Sequence, residues 1–230
     1  MHLPINMRGC VHNVILFAAS LAVLGMPASA QTLYSNGPIN GQVDSWTINY
    51  GYGVANSFFL SGTFTLAGVE FGGWTEPGDT ITGVDWSIVT GTPFTSQTTL
   101  FSVTDVAVSD KLLYNNDVGY DVGLDSFSLG DISLGPGTYY LELQNAVVTG
   151  GDPGFWDMNN GPSTAYDSAW GLTSNPSGPC GYDFPGGTCS DSFQIYSLNG
   201  PTTVPEASTL ALLGIGLLAF LPLWRRRRAF

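Results

Sequence analysis

The chain has 230 residues, of which 18 are acidic and 6 basic, so that 10% carry a charge against the ~25% usual in soluble domains. Residues 31–204 contain 17 of the acids and a single base, Lys111, with no histidine and no arginine. This composition excludes nucleic-acid binding through a basic face. It also excludes a histidine-based triad, a histidine zinc site and an arginine phosphate clamp in that part of the chain.

Residues 1–30 have the pattern of a secretory signal peptide. Arg8 precedes an apolar run over residues 14–26, and residues 28–30 are Ala-Ser-Ala, the small side chains that signal peptidase requires. We therefore predict cleavage after residue 30 and export of the mature chain. An uncleaved anchor helix is the less favoured alternative, because the apolar run is short.

Alternating apolar and polar residues recur through residues 31–203, and this period of two predicts β-strands. The parity of the alternation changes between Val103 and Val106, which predicts a β-bulge. The apolar positions are Phe58, Leu60, Phe64 and Leu66; Val84, Trp86 and Ile88; Phe101 and Val103; Val106 and Val108; Phe127 and Leu129; Ile132 and Leu134; Tyr139, Leu141 and Leu143; and Phe193 and Ile195.

We predict one all-β domain over residues 31–203, an antiparallel β-sandwich with a jelly-roll-like arrangement of about eight to ten short strands. Turn residues bound each alternating run, and no stretch keeps a period of 3.6 residues. A sheet closed on itself is the less favoured alternative.

Between residues 150 and 191 the alternation weakens, and Gly, Pro, Asn and Ser become frequent. We predict a long loop region here, or short strands with large excursions between them. Aromatic rings can pack on the flat faces of sugars, so the segment is a candidate ligand surface; the alternative is that its rings anchor it to the sandwich. The candidate platform consists of Trp156, Trp170 and Tyr182, with Asp157, Asn159 and Asn160 as partners for sugar hydroxyls.

Cys180 and Cys189 are the only cysteines of the mature chain, with eight residues between them. In an exported protein two such residues predict a disulfide. Closing a loop of this length would stabilise the fold by about 2–3 kcal/mol.

Acidic residues in loops of exported sandwiches can bind Ca²⁺, which takes oxygen ligands. Asp117, Asp121 and Asp125 are spaced by four residues, and this is not the spacing of an EF-hand-type loop. The simpler interpretation is that the acids cap turns and keep the surface soluble, so we assign no metal ligand and leave Ca²⁺ open. Other loop carboxylates considered for such a site are Asp152, Asp157, Asp183 and Asp191.

Catalytic residues are not evident in the chain. No Asp or Glu lies in a recognisable hydrolase motif, and among 17 acids some pair will always lie close in space. A serine nucleophile would lack its usual histidine base. We therefore predict a protein that is not an enzyme and has no cofactor.

Residues 207–224 form an uncharged apolar run of 18 residues, followed by Arg225, Arg226, Arg227 and Arg228. This length can cross a bilayer, and the positive-inside rule places the arginines in the cytoplasm. A buried core helix is the less favoured alternative, because it would gain nothing from ending in four arginines.

Val204, Pro205 and Glu206 stand directly before this run. The short motif, the apolar run and the arginines together resemble the PEP-CTERM sorting signal of exopolysaccharide-producing Gram-negative bacteria, although Ala207 replaces the usual second proline. The resemblance covers residues 204–230. It implies anchoring in the inner membrane, processing by an exosortase, and transfer to the cell surface or extracellular matrix.

The sequence thus predicts a non-enzymatic surface or matrix protein associated with exopolysaccharide and biofilm. The alternative is a carbohydrate-binding module that recognises a specific glycan through residues 150–191. Residues 137–150, with Trp156 and Asp157, are similar to ectodomains that accompany such tails, which implies a β-sandwich and no particular activity.

Overall fold

A computed structural model describes residues 31–42, 44–169, 172–176 and 190–197. The predicted signal peptide and the predicted sorting tail lie outside these ranges. Within them no helix is long and apolar enough to cross a membrane, and the predicted span over residues 207–224 is not among the described residues.

The described residues form 14 β-strands and no helix, and all pairings between these strands are antiparallel. The strands are β1 (Gln31–Ser35), β2 (Ser45–Thr47), β3 (Tyr52–Leu60), β4 (Phe64–Thr75), β5 (Ile81–Thr92), β6 (Ser96–Ala107), β7 (Ser109–Asn115), β8 (Asp121–Leu134), β9 (Gly137–Val148), β10 (Phe155–Asn159), β11 (Ala165–Ala169), β12 (Leu172–Pro176), β13 (Ser190–Asp191) and β14 (Phe193–Ser197).

The strands are divided between two sheets. The eight-stranded sheet contains the path β1-β14-β4-β10-β13, with β8 paired to β4, β7 paired to β8 and β2 paired to β10. The six-stranded sheet has the order β12-β11-β3-β9-β5-β6. The chain passes from β3 in the smaller sheet to β4 in the larger one and back to β5, so consecutive strands often lie in different sheets. The all-β prediction and its two antiparallel sheets are confirmed.

Rings from both sheets meet in one apolar core. Trp86 of β5 stacks on Phe127 of β8 with 6.2 Å between ring centroids, and Tyr34 of β1 contacts Phe58 of β3 at 6.1 Å. The two sheets therefore pack face to face. Many of the predicted apolar positions are buried in this core, including Leu60, Leu66, Val84, Ile88, Leu129, Leu134, Leu141, Leu143, Phe193 and Ile195.

The parity change predicted in β6 is a β-bulge. Val84 of β5 lies opposite Val106, whereas Trp86 lies opposite Val103. Between these two pairs β5 moves by two residues and β6 by three, so β6 contains one extra residue. Asp105, inside the bulge, has a left-handed backbone with φ of 53°. Val103 is 44% exposed, although it lies opposite the buried Trp86. β6 is the edge strand of its sheet, with only β5 beside it among the described strands.

The segment from residue 150 to residue 191 contains short strands, which confirms the second of the two predicted alternatives for its described part. β10 lies in the eight-stranded sheet, where it pairs with β2, β4 and β13. β11 extends the six-stranded sheet beside β3 and pairs with β12. The segment thus contributes strands to both sheets.

Candidate functional site

Two rows of cross-strand neighbours build a groove on the eight-stranded sheet, which we call the outer groove. In one row Tyr196 of β14 lies opposite Gly68 of β4, and Gly68 lies opposite Ser128 of β8. In the next row Glu70 of β4 lies opposite Ser126 of β8. Side chains alternate between the faces of a strand, and the intervening residues of β4 and β8 are buried in the core, so both rows face outward.

The outer groove has a volume of about 580 Å³. Because Gly68 has no side chain, the backbone forms a floor between the Tyr196 ring and Ser128. The Tyr196 hydroxyl donates a hydrogen bond to Glu70 Oε2 and lies 3.2 Å from Gln194 Oε1. Burial raises the pKa of Tyr196 to about 12, and the hydrogen bond to Glu70 and the charge of Glu70 contribute to this rise. The groove therefore combines a ring with hydroxyl groups and a carboxylate, as sites for polar organic ligands do.

A second pocket, which we call the acidic pocket, lies on the inner side of the same sheet and has a volume of about 140 Å³. Asp110 of β7 lies directly opposite Asp125 of β8, and Asp125 lies opposite the buried Phe71 of β4. Both carboxyl groups therefore point toward the core side of the sheet. Asp125 is only 1% exposed, and Asp79 and Asp121 also line the pocket.

Asp110 and Asp125 are direct neighbours across β7 and β8, and each carboxyl group shifts the pKa of the other. Burial raises the pKa of Asp125 well above its usual value, and the charge of Asp110 raises it further. Burial also raises the pKa of Asp110, whereas its interaction with Asp125 acts in the opposite direction. The pair thus keeps a proton at pH values where a solvated aspartate is ionised. Oδ1 of Asp125 is buried without a hydrogen-bond partner.

Trp156, the first ring of the predicted platform, is fully buried, so the prediction is wrong for this residue. Its indole contacts Phe71 at 6.0 Å and Phe193 at 5.7 Å, and its Nε1 donates to the carbonyl oxygen of Ser192 at 2.8 Å. The ring holds β10 against the core instead of meeting solvent. Trp170 and Tyr182 lie outside the described residues, and their part of the platform stays a prediction.

Asp157, predicted as a partner for sugar hydroxyls, is also fully buried. Its Oδ1 accepts hydrogen bonds from Gly41 N at 2.9 Å and Trp74 Nε1 at 2.8 Å, and its Oδ2 accepts one from Asn40 N at 3.0 Å. Burial raises the pKa of Asp157, and these bonds act against that shift. The carboxylate thus fixes the segment before β2, and the hydroxyl-partner prediction is wrong for it.

Asn159, the second predicted partner, belongs to a group of four buried residues that we call the amide network: Asn36, Asn56, Asn159 and Asp191. Asn159 Nδ2 donates to Asn36 O at 2.7 Å, and Asn36 Nδ2 donates to Asp191 O at 2.6 Å. Asn56 Nδ2 donates to Asp191 Oδ2 at 2.6 Å, and Asn56 Oδ1 accepts from Asp191 N at 2.9 Å. The network ties β3, β10 and β13 to the end of β1. Asn160, in contrast, is exposed.

The acids considered for Ca²⁺ are separated by the fold. Asp121 and Asp125 line the acidic pocket, whereas Asp117 and Asp152 are exposed. Asp157 is buried beside Trp74, and Asp191 is buried in the amide network. Asp183 is not among the described residues. Among the residues that are described, no group of three or more His, Cys, Asp or Glu side chains is placed to hold a metal ion.

Sequence reasoning missed Asp110. It lies 15 positions before Asp125, and only the pairing of β7 with β8 brings the two carboxyl groups together. Tyr196 and Glu70 were also missed, because they are far apart in the sequence and only the pairing of β14 with β4 brings them together. Cys180 and Cys189 lie outside the described part of the chain, so their disulfide stays a prediction.

The family model of the PEP-CTERM protein-sorting motif matches residues 203–228, which confirms the resemblance predicted from Val204, Pro205, Glu206 and the residues after them. A search of the curated proteins finds no match to the chain. The last described strand, β14, ends at Ser197, and both of its edges are paired, with β1 and β4. The matched segment thus follows a strand held firmly in the larger sheet. The chain therefore carries a PEP-CTERM sorting motif, which implies an exported protein that is anchored in a membrane and then processed by an exosortase system.

Proposed function

We propose that the chain is a non-enzymatic cell-surface or extracellular-matrix protein that associates with exopolysaccharide in a biofilm. The match of residues 203–228 to the sorting motif is the observation that carries this proposal. The signal peptide over residues 1–30 directs export, and residues 207–224 hold the precursor in the inner membrane until the exosortase acts. The frequent crossing of the chain between its two sheets supports a jelly-roll-like ectodomain.

Anchoring of the precursor can be tested by cell fractionation in a host without exosortase. The full chain should be found with the membranes, whereas a chain ending at Thr203 should be found in the periplasmic fraction. Replacing Arg225 to Arg228 with glutamine should impair retention or orientation, because the basic end fixes the topology. Membrane association of the chain ending at Thr203 would contradict the proposed anchor.

The acidic pocket supports a non-enzymatic role in spite of its paired carboxyl groups. Glycoside hydrolysis needs two carboxyl groups about 5 Å apart in retaining enzymes and about 6.5–9.5 Å apart in inverting ones. Asp110 lies directly opposite Asp125 on the neighbouring strand, and Asp125 is only 1% exposed, so a sugar ring has no access between the two carboxyl groups. An activity screen of the purified protein on glycosides should therefore detect no turnover.

A carbohydrate-binding module is the second candidate function, and the outer groove favours it. The groove is lined by the Tyr196 ring, the Glu70 carboxylate and the Ser128 hydroxyl. Gly68 lies between Tyr196 and Ser128 and leaves the backbone accessible there. The strongly acidic ectodomain would repel acidic polymers, so the ligand class is a neutral or cationic polysaccharide. We expect a Kd of roughly 10 µM to 1 mM, or about 4–7 kcal/mol.

The glycan-binding role can be tested by affinity electrophoresis in the exopolysaccharide of the producing cells and on a glycan array. Tyr196→Ala should weaken binding about tenfold or more, since an aromatic contact surface is lost. Phe59→Ala is the matched control, because Phe59 is 60% exposed and lies on the other sheet. Equal binding by Tyr196→Ala, Phe59→Ala and the wild type, with unchanged melting temperatures, would contradict the role of the groove.

A further inference from the structure

We propose that the acidic pocket binds a partly hydrated divalent cation, with the carboxylates of Asp110 and Asp125 as its protein ligands. This site is independent of the outer groove, which lies on the opposite face of the same strands.

The first support for the site is an incomplete set of partners around its carboxyl groups. Asp125 is 99% buried, lines the pocket, and leaves its Oδ1 without a hydrogen-bond partner. A buried carboxyl oxygen with no partner is costly. Lys111, the only base of residues 31–204, follows Asp110 along β7 and has an exposed side chain. Adjacent residues of a strand face opposite sides, so the lysine cannot neutralise the pair from this position.

The second support is that two glycines clear the space that the carboxyl groups occupy. A Cβ at Gly73 would lie 1.8 Å from Asp125 Oδ2, and a Cβ at Gly123 would lie 2.2 Å from Asp110 Oδ1. Gly73 and Gly123 are also direct neighbours across β4 and β8. Any larger residue at either position would displace an oxygen, so the strands are shaped around the two aspartates.

The third support is the size of the pocket and the state of its other acids. A volume of about 140 Å³ holds an ion with roughly three or four waters, at ~30 Å³ for each water. Asp121 accepts hydrogen bonds from Gly78 N and Asn115 Nδ2, and Asp79 accepts one from Thr149 Oγ1. These two acids are held at the rim, where they can bind the waters of the ion.

Two carboxylates with several waters form the coordination that Mg²⁺ commonly has in proteins and that a weak Ca²⁺ site can have. The ion takes the place of the proton that the pair otherwise keeps, and that proton passes to solvent. Among the described residues no group of three or more His, Cys, Asp or Glu side chains could hold a metal ion, so this site has two protein ligands and the other positions are taken by water. Extracellular Ca²⁺ modules bind at about 10⁻⁴–10⁻³ M, and we expect this range.

The test uses the purified mature protein after chelator treatment, at constant ionic strength. Thermal unfolding and calorimetry are followed during titration with CaCl₂ and, separately, with MgCl₂ up to about 10 mM. The wild type should show saturable binding and a rise of several degrees in melting temperature, since a ligand of the folded state stabilises it. The two titrations decide which ion fits the pocket better.

The variants Asp125→Asn and Asp110→Asn should each lose this rise. Asp117→Asn should keep it, because it makes the same change of charge at an exposed position outside the pocket. Absence of a saturable response to either ion in the wild type would overturn the proposal. An undiminished response in both Asp125→Asn and Asp110→Asn would overturn it too, because the ion would then bind elsewhere on the acidic surface.

Discussion

The amide network and the acidic pocket are both polar clusters in a largely apolar interior, but their hydrogen bonds are completed in different ways. In the amide network Asn56 and Asn159 donate and accept, so each amide finds a partner within the protein. In the acidic pocket two carboxyl groups face each other, and neither supplies a donor unless it keeps a proton. The first arrangement closes on itself, whereas the second is complete only with a proton or a ligand.

This difference separates a structural cluster from a candidate site. Amides can build satisfied networks in a core because each offers both donors and acceptors. Two buried carboxylates beside a cavity repel each other and lack solvation, and a bound cation reduces both unfavourable terms. Asp191 has features of both clusters, because two bonds to Asn56 hold it while its Oδ1 lacks a partner.

The largest expected effect comes from breaking the amide network at Asn56. Asn56→Ala leaves Asp191 N, Asp191 Oδ2 and Ser163 Oγ without their partner, so the free energy of unfolding should fall by about 3–5 kcal/mol. Chemical denaturation of the purified protein measures this loss. Gln42→Ala, an amide truncation at an exposed position, should change stability by less than about 0.5 kcal/mol. Equal stability of both variants would show that the network contributes little.

A smaller effect is expected from filling the glycine space of the acidic pocket. Gly73→Ala places a methyl group against Asp125 Oδ2 and should cost about 1–3 kcal/mol. The double variant Gly73→Ala/Asp125→Ala should recover part of this loss, because it removes the clashing oxygen. Gly135→Ala is the control, since a Cβ there meets nothing within 4 Å. If Gly73→Ala and Gly135→Ala were equally stable, the pocket would not be shaped as described.

The smallest expected effect is a pH dependence carried by Asp191. Burial raises the pKa of Asp191 well above its usual value, against the bond from Asn56, and the charges of Asp157 and Asp167 raise it further. An unfolded aspartate titrates near ~3.9, so above this pH the folded protein binds more protons than the unfolded chain. This contribution to stability is therefore fully present below that pH and is lost as the pH rises through the native pKa.

Urea denaturation at a series of pH values between about 4 and 8 tests this sign. Asp191→Asn should make stability depend less steeply on pH than in the wild type, and it should be the more stable of the two at the upper end. Asp117→Asn controls for the change in net charge. A wild type whose stability rises with pH as much as that of Asp191→Asn would refute the assignment.

Much of the fold was accessible from the sequence because strand alternation is local. The alternating runs around Trp86, Phe127 and Leu141 mark buried faces, and the parity change before Val106 marks a bulge, since each of these signals lies within one strand. Strand pairing is not local. The sheet order, and with it the meeting of Asp110 with Asp125, depends on contacts between distant parts of the chain.

The candidate site was harder to predict, because the same residues serve a core and a binding surface. Trp156 beside Asp157 has the composition of a sugar platform, yet both side chains are fully buried. Only their environment in β10, between β2 and β4, decides which role they have. Tyr196 gave no such signal, because it alternates with buried residues in β14 like any outward-facing strand residue.

The central claim, sorting through the C-terminal motif, is tested most directly by the mass and location of the protein in a host that has an exosortase. The wild type should leave the membrane fraction, with intact mass spectrometry showing loss of the apolar run and the arginines. The double variant Pro205→Ala/Glu206→Ala should stay in the membrane at full precursor mass, whereas Thr202→Ala, outside the matched segment, should behave as the wild type. The same mass and location for wild type and double variant would contradict the account.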